Sequence, residues 1–180
     1  MTDKRTSLAR RNVLRLAIGA AVAGSAGRVL AATPKSDALS LNHLDTGKTR
    51  TIHVDGYPIL LLRRDAGMIS ALKQQTANLA DPDSQHSQQP AYAKNPWRSR
   101  DPEFLVMVNH CTFDGCPIAF GGCPSSCGFA CPCCGSQYDA AGRVQKFQPA
   151  PRNLAIPYYR IDRKQQSVII ERVEKVRTVE

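Results

Sequence analysis

Seven cysteines, Cys111, Cys116, Cys123, Cys127, Cys131, Cys133 and Cys134, crowd into one stretch of the chain. A disulfide framework spreads its cysteines along the fold it staples, so crowding of this kind favours a metal site. Two close pairs stand out, Cys111-x4-Cys116 and Cys131-x2-Cys134, each on a loop that carries Gly or Pro. Paired loops can present thiolates to one centre. Zinc takes four thiolates in a tetrahedron and iron-sulfur clusters also take four, so spacing alone leaves both open. Oxidising surroundings would add disulfides as a third use of the same residues.

The elements that must hold these loops read as strands. Phe104 to Val108 is an apolar run that leads straight into Cys111. Arg50 to Val54 and Ile59 to Arg64 flank Asp55-Gly56, a two-residue hairpin signal, and predict an antiparallel pair. Ile156 to Ile161 and Ser167 to Val173 supply two later strands. The helical signal is weak, a turn or two around Gly67 to Leu79. From Gln74 to Pro102 the chain turns polar, with Asp81-Pro82-Asp83 and three further prolines, and reads as a long surface excursion without legible chemistry.

The 180 residues suffice for one domain and an appendage. The net charge of +9 is concentrated at the N-terminus, where Lys4, Arg5, Arg10, Arg11, Arg15 and Arg28 face only Asp3. No basic stripe interleaved with aromatics remains elsewhere, which argues against a nucleic-acid partner. Arg10-Arg11, followed by Val13-Leu14 and an Ala/Gly-rich run, resembles a twin-arginine export signal. The uncharged stretch from Leu16 to Gly27 is shorter than the roughly 20 residues of a membrane span. Extending it to Val13 and Ala32 makes a marginal anchor if Arg15 and Arg28 snorkel. Residues 1–32 are therefore expected to be a signal or anchor helix, 33–48 a flexible tether, and 49–178 the folded domain.

The residues around the cysteines carry a family resemblance. Cys111-Thr112-Phe113-Asp114-Gly115-Cys116 and Cys131-Pro132-Cys133-Cys134-Gly135-Ser136-Gln137-Tyr138-Asp139 resemble the two cluster boxes of the Rieske proteins. Those boxes read Cys-Thr-His-x-Gly-Cys and Cys-Pro-Cys-His-Gly-Ser-x-Tyr-Asp. Ala141-Gly142-Arg143 and Pro149 to Pro157 resemble the family's Gly-Arg turn and proline loop. The resemblance is strongest to the iron-sulfur subunit of the quinol:cytochrome c reductase, or cytochrome bc, complex. It implies an all-β fold, a Rieske-type antiparallel β-sandwich with a small cluster-binding subdomain whose loops span 107–151. It also implies a 2Fe-2S cluster, a subunit role in a translocating oxidoreductase, cytochrome b and cytochrome c1 type partners, quinol as electron donor, and a place on the periplasmic side of a bacterial inner membrane.

Carried over by position, the resemblance assigns Cys111 and Cys131 to one iron and pairs Cys116 with Cys133 in a loop-clamping disulfide. It gives the hydroxyls of Ser136 and Tyr138 hydrogen bonds to a bridging sulfide and a ligand sulfur. The two histidine positions hold Phe113 and Cys134. A phenyl ring has no lone pair for iron, and a thiolate at Cys134 makes any cluster more negative than imidazole would. Substitute ligands for the missing histidines are His110, Asp114, Cys123 and Cys127, with the Cys123/Cys127 loop the stronger donor by flexibility. Histidine ligation places Rieske centres at about −150 to +300 mV, against about −400 mV for all-cysteine plant-type ferredoxins. The expected function is electron transfer from quinol to cytochrome c with altered or impaired ligation. The alternatives are a cluster-free structural paralogue and a zinc module on Cys111, Cys131, Cys134 and one more cysteine.

Overall fold

A computed structural model describes residues 38–121 and 128–179. The expected signal or anchor helix at 1–32, and Cys123 and Cys127, lie outside the described residues. Nine strands run in the order β1 Ala38–Ser40, β2 Thr49–Val54, β3 Tyr57–Arg63, β4 Phe104–Val108, β5 Ala119–Phe120, β6 Phe129–Ala130, β7 Gln137–Tyr138, β8 Tyr158–Asp162 and β9 Ser167–Arg172, with helix α1 Ala66–Gln74 after β3. They form three antiparallel sheets of three strands, ordered β1-β9-β8, β2-β3-β4 and β5-β6-β7. The described residues are thus mostly β, with one α-helix of nine residues and a 3-10 turn at Ala91–Ala93. Among them no helix is long and apolar enough to cross a membrane.

The hairpin forms where the turn signal places it. Asp55 and Gly56 take φ of 50° and 81°, left-handed at both central positions as a tight hairpin turn requires, and Val54 pairs with Tyr57. β3 buries Ile59 through Leu62 and β4 buries Leu105 through Val108, so their unbroken apolar runs mark strands covered on both faces. α1 starts on Asp65, whose carboxylate accepts the Met68 N–H at 2.7 Å, and the helix buries Leu72. β1, pairing with β9 and burying Leu39, begins the body inside the stretch expected as a tether. Three residues are too few to show a period.

The polar excursion runs largely along the surface, as expected, but it is anchored in the body by buried residues that the sequence does not reveal. Arg98 within it has no exposed surface, and Arg64 and Arg143 are each 1% exposed. Arg98 donates to the Gln89 side chain at 2.8 Å and to the carbonyls of Ala141, Gly142 and Leu154 at 3.1, 3.2 and 2.7 Å. Burial lowers its pKa to about 9, against the pull of Asp139, which leaves it charged at neutral pH. Arg64 donates to Ala140, Trp97 and Pro102 carbonyls. Arg143 bonds Asp139 at 2.6 Å and the Leu72 carbonyl at 2.7 Å. Tyr92 donates to the Pro157 carbonyl at 2.7 Å and accepts the Tyr159 N–H. The excursion therefore ties the helix, β8 and the loops after β7 together. Each arginine satisfies carbonyls that no strand ladder reaches, as buried backbone acceptors require.

Candidate metal centre

Two loops of the same construction meet at the centre. β4 leads into Asn109, whose N–H donates to the Pro58 carbonyl and whose side chain accepts the Ile118 N–H. The first loop then closes on itself: the Cys111 carbonyl accepts the Gly115 N–H at 3.0 Å, and the Cys111 N–H donates to the Cys116 carbonyl at 2.9 Å. The second repeats this one for one. The Cys131 carbonyl accepts the Gly135 N–H at 2.9 Å, and the Cys131 N–H donates to the Ser136 carbonyl at 2.8 Å. Gly115 and Gly135 have φ of 77° and 75°, the left-handed region glycine fills without penalty. At Gly115 a Cβ would also meet His110 Nε2 at 2.6 Å.

A disulfide joins Cys116 to Cys133 with Cα atoms 6.4 Å apart, which ties the tip of one loop to the other. The third wall is the segment after Lys146. Ala150 donates its N–H to Ser136 Oγ at 2.9 Å, and Thr112 Oγ1 donates to the Arg152 carbonyl at 2.8 Å. Replacing Cys116 and Cys133 together by serine is expected to cost about 3 kcal/mol, the cross-link term for a loop of this size. Thermal unfolding of oxidised wild type against the double variant measures it, and equal midpoints would refute the clamp.

Inside the loops, Cys111, Asp114, Cys131 and Cys134 bring one donor atom each to within 4.8 Å of one another. Cys111 Sγ lies 3.6 Å from Cys134 Sγ, and Cys131 Sγ lies 3.5 Å from Asp114 Oδ1. Cys111 and Cys131 are buried, Cys134 is half-buried and Asp114 is exposed. Tyr138 Oη stands 3.5 Å from Cys111 Sγ, and Ser136 Oγ 3.1 Å from Cys134 Sγ. Because Ser136 Oγ already accepts the Ala150 N–H, its own proton is free to serve a Cys134 thiolate. Burial raises the Cys111 thiol and pushes Cys131 up to about 12. At Cys134 burial also acts upward, but the Ser136 hydroxyl and N–H outweigh it and hold the thiol below its ordinary value. Asp114 is held low by the Cys116 N–H.

Among the described residues, the candidates named from sequence separate. Cys111, Cys131 and Cys134 come together, and Asp114 joins them, whereas His110 does not. Its ring lies against Gly115 and its buried Nδ1 has no hydrogen-bond partner among the described residues. Phe113 is 38% exposed and contributes no donor. By sequence, Asp114 is one of several possible substitutes. Its place among the sulfurs depends on the loop's hydrogen bonds, which spacing does not reveal.

Comparison with known proteins bears on this arrangement. Residues 94–160 match the model of the Rieske [2Fe-2S] domain. The chain is 39% identical over 125 residues to the ubiquinol-cytochrome c reductase iron-sulfur subunit of Allochromatium vinosum, covering 65% of this chain and 60% of that one. It is 36% identical over 132 residues to the mitochondrial cytochrome b-c1 complex subunit Rieske of Neurospora crassa, covering 73% of this chain and 52% of the relative. These matches thus span little more than half of those relatives' length. To the ubiquinol-cytochrome c reductase iron-sulfur subunit of Rickettsia prowazekii it is 33% identical over 134 residues, which is 70% of each chain. The chain belongs to the Rieske family.

A Rieske 2Fe-2S group takes two cysteines on one iron and two histidines on the other. This Rieske chain has a cysteine-rich, cluster-like site, but its four gathered donors are three sulfurs and a carboxylate. They do not fit the two-cysteine, two-histidine group. The disulfide between the loops is present, the Tyr138 hydroxyl lies on the Cys111 sulfur, and the Ser136 hydroxyl lies on the Cys134 sulfur.

Proposed function

We propose that the chain is the Rieske-type subunit of a cytochrome bc-type quinol:cytochrome c reductase. In this reading it sits with cytochrome b and cytochrome c1 type subunits on the periplasmic side of the bacterial inner membrane, delivered and held by the twin-arginine segment at 1–32. The observation that carries it is the clamped pair of loops, with their disulfide and proline-loop ties intact, in a chain whose relatives are named as subunits of such complexes.

The chemistry of the tip differs from that of an ordinary quinol oxidant. Imidazole is suited to accept a quinol proton because its pKa lies near neutrality. Phe113 has no nitrogen, and Cys134 offers a sulfur already bonded by Ser136. Histidine ligation is also what raises a Rieske potential. The subunit is therefore proposed to occupy the Rieske position in the complex without the proton-coupled oxidation of quinol that an imidazole supports.

The test is purification of the full chain, affinity-tagged, from membranes of its own host. Haem-bearing b- and c-type subunits are expected to co-purify, with quinol-dependent cytochrome c reduction near the uncatalysed background. A tagged chain recovered without haem subunits would overturn the assembly reading. Robust turnover dependent on this subunit would overturn the altered chemistry.

A further inference from the structure

We propose that Cys111, Asp114, Cys131 and Cys134 form a single-ion tetrahedral site for zinc, with Asp114 as the fourth ligand. The inference does not depend on assembly with cytochrome subunits.

The distances fit one ion. With zinc–sulfur bonds of about 2.3 Å and zinc–oxygen bonds of about 2.0–2.2 Å, tetrahedral edges come to about 3.8 Å between sulfurs and about 3.5–3.7 Å from sulfur to oxygen. The Cys111–Cys134 separation is 3.6 Å and the Cys131–Asp114 separation is 3.5 Å, and no donor pair in the set exceeds 4.8 Å. A binuclear cluster inserts two irons and two sulfides between its donor pairs, which drives donors on opposite irons farther apart than donors that share one. The four atoms here are gathered about one point.

The donor chemistry agrees. Thiolates with one carboxylate suit a borderline-soft divalent ion, and a four-ligand set with no open position is the structural kind of zinc site. The loops bring hydrogen-bond donors to the three sulfurs, which at Cys111 and Cys131 offset part of the effect of burial. Backbone N–H groups of Phe113 and Asp114 serve Cys111, those of Cys133 and Cys134 serve Cys131, and that of Ser136 serves Cys134. The Cys116 N–H holds Asp114 Oδ1 at 3.0 Å and so aims the carboxylate toward the sulfurs. The Tyr138 hydroxyl supplies one more hydrogen bond, to Cys111. Residue 114 thus does the ligating in a box whose usual donor position, 113, holds a phenyl ring.

The experiment uses the full chain, stripped of metal anaerobically with its disulfide oxidised. It is titrated with cobalt(II) as a spectroscopic probe and then with zinc. One equivalent of cobalt is expected to give the visible bands of a tetrahedral thiolate-rich site, and one equivalent of zinc should erase them. Asp114→Asn keeps the oxygen that accepts the Cys116 N–H, so the loop survives. Affinity should nonetheless fall about tenfold or more, and Asp114→Cys should restore it with a stronger sulfur-to-cobalt band. Circular dichroism of each variant checks that the fold is retained. Unchanged binding in Asp114→Asn would overturn the ligand assignment and move the fourth donor elsewhere. Failure of the unmodified chain to bind cobalt would overturn the site. So would uptake of two irons and two sulfides per chain, in preference to zinc, when all are offered together.

Discussion

Replacing Phe113 and Cys134 together by histidine is expected to convert the site into one that assembles a 2Fe-2S centre. Reduced protein should then give a Rieske-type EPR signal with a potential in the window of about −150 to +300 mV. The unmodified chain should give no such signal. The expectation rests on what need not change. Cys111 and Cys131 hold buried positions at the bases of the two loops, Tyr138 already stands against Cys111, and the disulfide fixes one loop to the other. Asp114 is exposed and can leave the sulfurs without opening the core. Removing the Cys134 thiolate lowers the negative charge, and each gain of about 59 mV is a tenfold easier one-electron reduction. Imidazole protons should then make the potential fall with rising pH through the neutral range. If the double variant takes up no iron and sulfide, the loops have diverged in shape as well as in ligands.

The second large effect lies away from the metal. Arg98→Leu is expected to destabilise the domain by about 3–5 kcal/mol, because it strands the Ala141 and Leu154 carbonyls at about 1–3 kcal/mol each, while the Gly142 carbonyl keeps the Leu154 N–H. Arg98 also holds a φ of 51°, a conformation that non-glycine residues keep only under tertiary constraint. Thermal denaturation should show a midpoint lower by about 10 °C or more. A loss under about 1 kcal/mol would mean that the excursion is not a structural part of the body. The metal loops should loosen with it, since Gly142 pairs with Leu154 beside the segment that covers both boxes.

These two cases also mark what the sequence makes legible. The cysteine boxes are short and local, so their pattern survives in one dimension, and the disulfide pairing follows by position from the family. The hairpin is legible because Asp55-Gly56 signals its turn, and β4 because five apolar residues are bounded on both sides. Arg98 is invisible for the opposite reason. An arginine among Gln, Ser, Asn and Pro looks solvated, and only the carbonyls that fold back from residues 141, 142 and 154 make it a core residue. β5, β6 and β7 have two residues each, too short for any alternation to register. Asp114 sits between these extremes. Its chemistry marks it as a donor, but its choice over His110 is decided by a loop closed through the Gly115 N–H.

The matched loops have a consequence for how such a protein can change over time. Each is shaped by its own main chain, by a glycine in a left-handed turn and by a cross-link between tips; of the four gathered donors, Asp114 also holds the frame, through the Cys116 N–H. The sulfur side chains on display are thus largely decoupled from the frame that displays them. A substitution at 113 or 134 alters which ion is held without unmaking the cradle. Metal identity in this architecture becomes a property that one or two codon changes can reset, while the loop frame is inherited intact.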